Sequence, residues 1–168
     1  MDLQEAKQQF IQSWGVLGSS WGINRAMAQI HAFLLVAPEA VNADEVMEAL
    51  QISRGNVNMN IRELINWGIV EKVLKPGDRK EYFVAEKDIW KVAMRIMKER
   101  KKRELDPIIS TMEQLKTVEA DKKDAEAKAF IQTISQIQKF AKQADGALAG
   151  LIKADENWFT GTLLKMFK

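Results

Sequence analysis

The sequence predicts a mainly α-helical chain interrupted once by a short β-hairpin. Apolar residues recur at helical spacing on both sides of residues 69–85. Within that window the β-branched run Ile69-Val70-Glu71-Lys72-Val73-Leu74 is followed by a Pro-Gly turn and a second strand-like run, Lys80-Glu81-Tyr82-Phe83-Val84-Ala85. There is no cysteine, which excludes a disulfide scaffold and a cysteine-based zinc site and suits a reducing compartment. At 46% apolar and 29% charged, 168 residues suffice for one compact core with helical extensions.

Each element has its own signal. Leu3, Phe10, Ile11, Trp14, Val16 and Leu17 space a first helix over residues 3–18, punctuated by Gly18-Ser19-Ser20. A second helix is expected over 23–37, ended by Pro38, since the residue before a proline is pushed out of helical geometry. Asn42 is a good N-cap for a short third helix over 43–50, with Val46, Met47 and Leu50 on one face. Ser53 caps a fourth helix that runs to Trp67, where Gly68 stops it. The strands 69–74 and 80–85 flank the turn Lys75-Pro76-Gly77-Asp78-Arg79. From Lys87 a long helix is expected through Trp90, Met94 and Met97 towards Leu105. There Asp106-Pro107 is either a kink or a fresh start with Asp106 as N-cap. Ile108, Met112, Leu115 and Val118 continue an apolar stripe. After a polar stretch at 119–128, Phe130, Ile134, Ile137, Ala141, Ala144, Leu148 and Leu151 form a heptad seam. An amphipathic piece from Trp158 to Phe167 closes the chain.

Charge is unevenly spread. Residues 1–50 carry −4, residues 51–80 carry +3 and residues 91–103 carry +6, within a net charge of +2. A polyanion therefore has a preferred place between residues 51 and 103, although Lys98–Arg103 is equally readable as a solvated helix face. The apolar run Ala32–Ala37 is too short to span a bilayer, and Met1–Glu5 lacks the basic start of a secretory signal. A soluble, cytoplasmic protein without membrane association is expected. Catalysis finds little support. The single histidine, His31, sits in an apolar helix and reads as a core or interface residue. No cysteine nucleophile, phosphate-cradling glycine loop or metal-ligand spacing is present, so neither enzymatic activity nor a cofactor is expected.

The order helix, short helix, helix, hairpin is that of a winged helix-turn-helix, and the chemistry of residues 53–80 suits duplex DNA. A helix that reads bases must fit the major groove and present short polar or forked side chains. On the fourth helix Val57, Ile61, Leu64 and Ile65 fall on one side. Gly55, Asn56, Asn58, Met59, Arg62 and Glu63 fall on the other, with Ser53 and Arg54 at the positive N-terminus. The asparagines at 56, 58 and 60 cost helix propensity, a cost understandable if their amides act outside the helix. At the wing, Lys72 and Lys75 precede the turn and Arg79 and Lys80 follow it. Arg79 is placed to enter a narrow minor groove, with Asp78 beside it to orient the guanidinium. The expected DNA-contacting set is Ser53, Arg54, Gly55, Asn56, Asn58, Met59, Arg62, Lys75, Arg79 and Lys80. The alternative is a winged-helix protein–protein module that does not touch DNA.

Ser53-Arg54-Gly55-Asn56-Val57-Asn58-Met59-Asn60-Ile61-Arg62-Glu63-Leu64, Trp67-Gly68-Ile69-Val70 and Pro76-Gly77-Asp78-Arg79-Lys80 resemble the GbsR-like branch of the MarR superfamily. Trp21-Gly22, Arg25, Leu34-Leu35 and Pro38-Glu39 extend the likeness, which covers about residues 14–105. The resemblance implies a homodimeric transcriptional regulator on a pseudo-palindromic operator, with recognition helices about 34 Å apart. It implies three sections: an N-terminal dimerisation helix (1–22), the DNA-binding domain (23–88, recognition helix 53–67 and wing 69–85) and a C-terminal helical dimerisation region (89–168). The seam at 130–151 suits a helix–helix interface, either between chains or inside a bundle. Some members of the branch respond to choline or glycine betaine, cations that aromatic faces hold. Phe10, Trp14, Trp21 and Trp90 are the candidate effector pocket, the competing reading being that they are core aromatics.

Overall fold

The structure, a computed structural model, describes residues 1–118 and 124–166, with side chains to residue 154. The first half of the polar stretch expected at 119–128, and the amphipathic face expected of Trp158 to Phe167, lie outside that description. The chain divides into two compact units, Met1–Arg95 and Ile96–Lys168.

The first unit opens with helix α1 (Leu3–Ser20), started by an Asp2–Glu5 capping box. The helix runs two residues past the expected stop at Gly18. Ser19 and Ser20 donate their hydroxyls to the carbonyls of Gly15 and Val16, at 3.0 and 3.1 Å, and remain helical. Helix α2 (Arg25–Val36) begins two residues later than the spacing suggests, because the Asn24 side chain caps it by accepting from the N–H groups of Ala26 and Met27. The two helices touch closely. A methyl group on Gly18 would sit 2.6 Å from the Ala28 Cβ, so only glycine permits this approach.

Val41–Asn42 form a strand, β1, that the sequence did not announce, since two residues carry no periodicity. Helix α3 (Ala43–Leu50) follows, with a capping box between Asn42 and Glu45. Gln51, in the left-handed region at φ 53°, turns the chain into helix α4 (Arg54–Asn66), capped by Ser53. Strands β2 (Val70–Leu74) and β3 (Glu81–Ala85) form the hairpin. β1 adds antiparallel to β3, with Val41 opposite Phe83, giving the order β1-β3-β2. The core is built from Ile30, Leu34, Val46, Val57, Ile61, Leu64, Ile69 and Val70, all fully buried. Each contributes roughly 1.5–3 kcal/mol through apolar burial. Because α2, α3, α4 and the sheet share this core, the outward faces of α4 and the hairpin are held at one fixed angle.

Helix α5 (Ile89–Arg100) continues without a break into a π-helical turn, Lys101–Leu105, and then into α6 (Asp106–Leu115). Asp106 is therefore not an N-cap. Its backbone is fully helical, and its N–H donates to the Lys101 carbonyl five residues back. Pro107 has no N–H to offer the preceding turn, and widening that turn accommodates the ring without ending the helix. In the second unit α6 lies antiparallel to α7 (Ala125–Met166), as the contacts Lys101–Asp145 (2.7 Å), Glu113–Lys142 (2.7 Å) and Lys116–Gln138 (2.9 Å) require. The heptad seam divides here. Ile134 and Ala141 are buried within the unit, whereas Phe130, Ile137 and Leu151 stay exposed together with Phe140.

Candidate nucleic-acid interface

Helix α4 presents Arg54, Gly55, Asn58, Met59 and Arg62 to solvent, opposite the buried Val57, Ile61 and Leu64. Other residues expected on that face are occupied locally. The Ser53 hydroxyl accepts from the Asn56 N–H at 3.3 Å as the N-cap. Asn60, only 3% exposed, turns its amide back along the helix to the Asn56 carbonyl (2.8 Å) and side-chain oxygen (2.5 Å). Glu63 accepts from the indole N–H of Trp67 at 3.0 Å, tying itself to the base of the helix. Of the three asparagines, only Asn58 is fully presented outward. Asn56 is half-buried, and Asn60 stabilises the helix from within.

The hairpin carries four cations, Lys72, Lys75, Arg79 and Lys80, and its two faces divide them, since Lys72 shares a face with Glu81 and Phe83 and Lys75 lies on the Tyr82 side. Lys72 pairs with Glu81 across the strands at 2.6 Å, and the Lys75 ammonium lies 4.1 Å from the centre of the Tyr82 ring. Asp78 does not orient the Arg79 guanidinium, as the sequence suggested. It accepts from the Lys80 N–H at 2.9 Å and the Tyr82 hydroxyl at 2.8 Å, which hold its carboxyl below the usual carboxylate range. The aspartate thus stiffens the tip, where Gly77 takes φ 81°. Arg79 projects exposed beyond it.

One residue that the sequence reading passed over joins helix and wing. Asp44, in the first turn of α3, accepts from the Arg54 guanidinium at 2.5 Å and pairs with the Lys80 ammonium at 3.3 Å. The signal was present: Asn42 and Glu45 already form the capping box of α3, which leaves the Asp44 carboxylate unused by its own helix.

The aromatic set divides. Phe10 and Trp14 pack with ring centres 5.4 Å apart, and Trp14 continues to His31 at 6.3 Å. Trp21 lies seven residues further, about 10 Å along the helix axis, and is half-exposed, as is Trp90 on α5. A cavity of about 550 Å³ opens elsewhere in the first unit. Lys7, Ile11, Phe33, Val41, Glu45 and Lys75 line it, and none of the four candidate aromatics does. Among the described residues, no group of three or more His, Cys, Asp or Glu is placed to hold a metal ion. No helix among them is long and apolar enough to cross a membrane.

Three α-helices ending in an outward polar helix, closed by a three-stranded sheet with a basic hairpin tip, define a winged helix-turn-helix. Residues 21–81 match the model of the MarR family. The chain is similar to the HTH-type transcriptional regulator MmpR5 of Mycobacterium tuberculosis, 33% identical over 76 residues that make up 45% of this chain and 46% of that protein. It is also similar to the HTH-type transcriptional repressor GbsR of Bacillus subtilis, 26% identical over 112 residues, 67% of this chain and 62% of the relative. The chain thus matches about half to three-fifths of the length of these curated relatives. A crystal structure described as a transcriptional regulator superposes with a TM-score of 0.66 at 19% identity, over 90% of this chain and 99% of that one, a likeness of fold.

Proposed function

We propose that this chain is a sequence-specific, double-stranded DNA-binding transcriptional regulator, acting without catalysis as a homodimer on a pseudo-palindromic operator. The observation that carries the reading is the exposed face of α4, with Arg54, Asn58, Met59 and Arg62 flanked by the wing tip with Arg79. A helix of this composition fits the major groove, where Arg62 suits guanine and Asn58 suits adenine edges. An exposed arginine at a hairpin tip suits the negative potential of the minor groove. The MarR-family match and the two curated relatives named as transcriptional regulators support the same reading. A small-molecule effector such as a quaternary ammonium osmolyte belongs to the same reading, with Phe10 and Trp14, whose ring centres lie 5.4 Å apart, as the aromatic faces closest to each other in the expected set. A cytoplasmic location follows from the proposed partner.

A mobility shift on promoter fragments flanking the chain's own reading frame, at two salt concentrations, tests the proposal. Binding is expected to be sequence-selective and to weaken steeply with salt, as several phosphate contacts are screened. A winged-helix module that binds only protein gives no shift at either salt concentration, and that result overturns the proposal.

A further inference from the structure

Arg54 belongs to the recognition helix and Lys80 to the wing, yet both converge on one carboxylate, that of Asp44. All three side chains are open to solvent, at 65%, 57% and 45% of their surface respectively, so DNA can reach each of them. A guanidinium and an ammonium from two different elements, closing on the oxygens of a single anion, is the arrangement that a backbone phosphate takes up at a protein surface. Arg54 adds the first-turn position of α4, whose free N–H groups also favour an anion.

The carboxylate is not needed for the α3 cap, and beyond Arg54 and Lys80 it adds only an acidic charge to the first turn of that helix. Asn42 and Glu45 cap α3 between them, and the Asp44 N–H is satisfied by the Asn42 side chain at 2.9 Å. We propose that Asp44 is an internal stand-in for a DNA phosphate. It occupies Arg54 and Lys80 in the free protein and must give them up when DNA docks, so it restrains the sequence-independent part of binding. The inference rests on the DNA-binding reading above and adds a residue that sets affinity without touching a base.

The physical consequence follows from exchange. Exposed ion pairs contribute little net stability, so the pair opens readily on docking. Each phosphate contact nonetheless replaces an existing contact instead of adding a new one, and the released carboxylate is left facing the DNA backbone. Both effects act equally on every duplex, because phosphates carry no sequence information. Discrimination by Asn58 and Arg62 is left unchanged while the overall level of binding is lowered.

The test is fluorescence anisotropy of the full chain on a random-sequence duplex and on a selected promoter fragment, at two salt concentrations. Asp44→Asn is expected to tighten binding to both duplexes by about 3- to 10-fold and to steepen the log–log salt slope by about one. In a chain that also carries Arg54→Ala and Lys80→Ala, the same substitution is expected to change affinity less than about 2-fold, since no cation remains to be released. Unchanged or weaker binding by Asp44→Asn overturns the proposal, and so does an undiminished gain in the Arg54→Ala, Lys80→Ala background. In both cases wild-type binding still upholds the DNA-binding reading. If neither wild type nor variant binds either duplex, that reading itself fails and this inference falls with it.

Discussion

His31, on α2, faces α1 with 2% of its surface exposed, against the Trp14 ring and with its Nε2 unpartnered among the described residues. Burial, helped by the positive charge of Lys87, lowers its pKa from 6.5 to about 4. Between those values the unfolded chain binds a proton that the folded chain refuses. Stability from this site is therefore present above pH 6.5 and is lost as pH falls towards 4. Urea titrations at pH 7 and at about pH 4.5 are expected to show wild type losing about 2–3 kcal/mol more than His31→Leu. Equal losses in the two chains would show that His31 is not the group responsible. At the DNA face, Arg62→Ala or Asn58→Ala is expected to cost about 1–3 kcal/mol of discrimination at a single base pair. Arg79→Ala is expected to lower affinity with little change in preference. Competition binding with single-base operator variants separates the two behaviours. An Arg62→Ala chain with unaltered preference would remove the docking proposed for α4.

Elements here are joined by end contacts as much as by the core. Helix α2 stops before Pro38, and its last carbonyls need donors. Lys87, at the start of the chain's return from the sheet, supplies them. Its ammonium donates to the carbonyls of Leu34 (2.8 Å), Leu35 (2.7 Å) and Ala37 (2.9 Å). A cation at a helix C-terminus also opposes the helix dipole. Lys87→Met keeps the stem and removes the donor, and is expected to lower stability by about 1–2 kcal/mol in thermal unfolding. No change in unfolding temperature would mean that water replaces the ammonium at no cost. The π-turn at Lys101–Leu105 belongs to this scale too. Lys101 lies between Asp106 (3.0 Å) and Asp145 (2.7 Å), whose hydrogen bonds raise its pKa and pin the widened turn to α7.

For the whole molecule, α7 leaves a row of apolar residues uncovered. Phe130, Ile137, Phe140 and Leu151 are exposed, Phe140 over 73% of its surface, and they recur at heptad-compatible steps of seven, three and eleven. In the proposed dimer this stripe is the natural contact with a second copy. Phe140→Glu, alone or with Ile137→Glu, is expected to shift sedimentation from dimer to monomer while leaving the helical circular dichroism unchanged. Operator affinity should then fall by at least tenfold, because two half-sites are no longer held by one particle. A dimer that persists through both substitutions would place the interface elsewhere.

The order of the elements around the hairpin, the caps at Asn42 and Ser53, the stop at Gly68 and the outward placement of Arg54, Asn58, Met59 and Arg62 are all legible along the chain. These features depend on spacing, cap chemistry and turn residues, which are local and can be read along the chain. The strand at Val41–Asn42 became legible only through its partner Phe83, because a two-residue strand is defined by what it pairs with. The use of Asp78 by Tyr82 and the division of the 130–151 seam were decided by the fold for the same reason, whereas Asn60 bonds Asn56 four residues back on its own helix and owes only its burial to the packing around α4. A polar side chain goes to whichever partner the fold brings within about 3 Å, and a heptad pattern does not say which half of its face the same chain covers. The junction of Arg54 and Lys80 on Asp44 is the extreme case. It joins residues 10 and 36 positions apart that share no motif, and only packing α3, α4 and the wing on one core could bring them together.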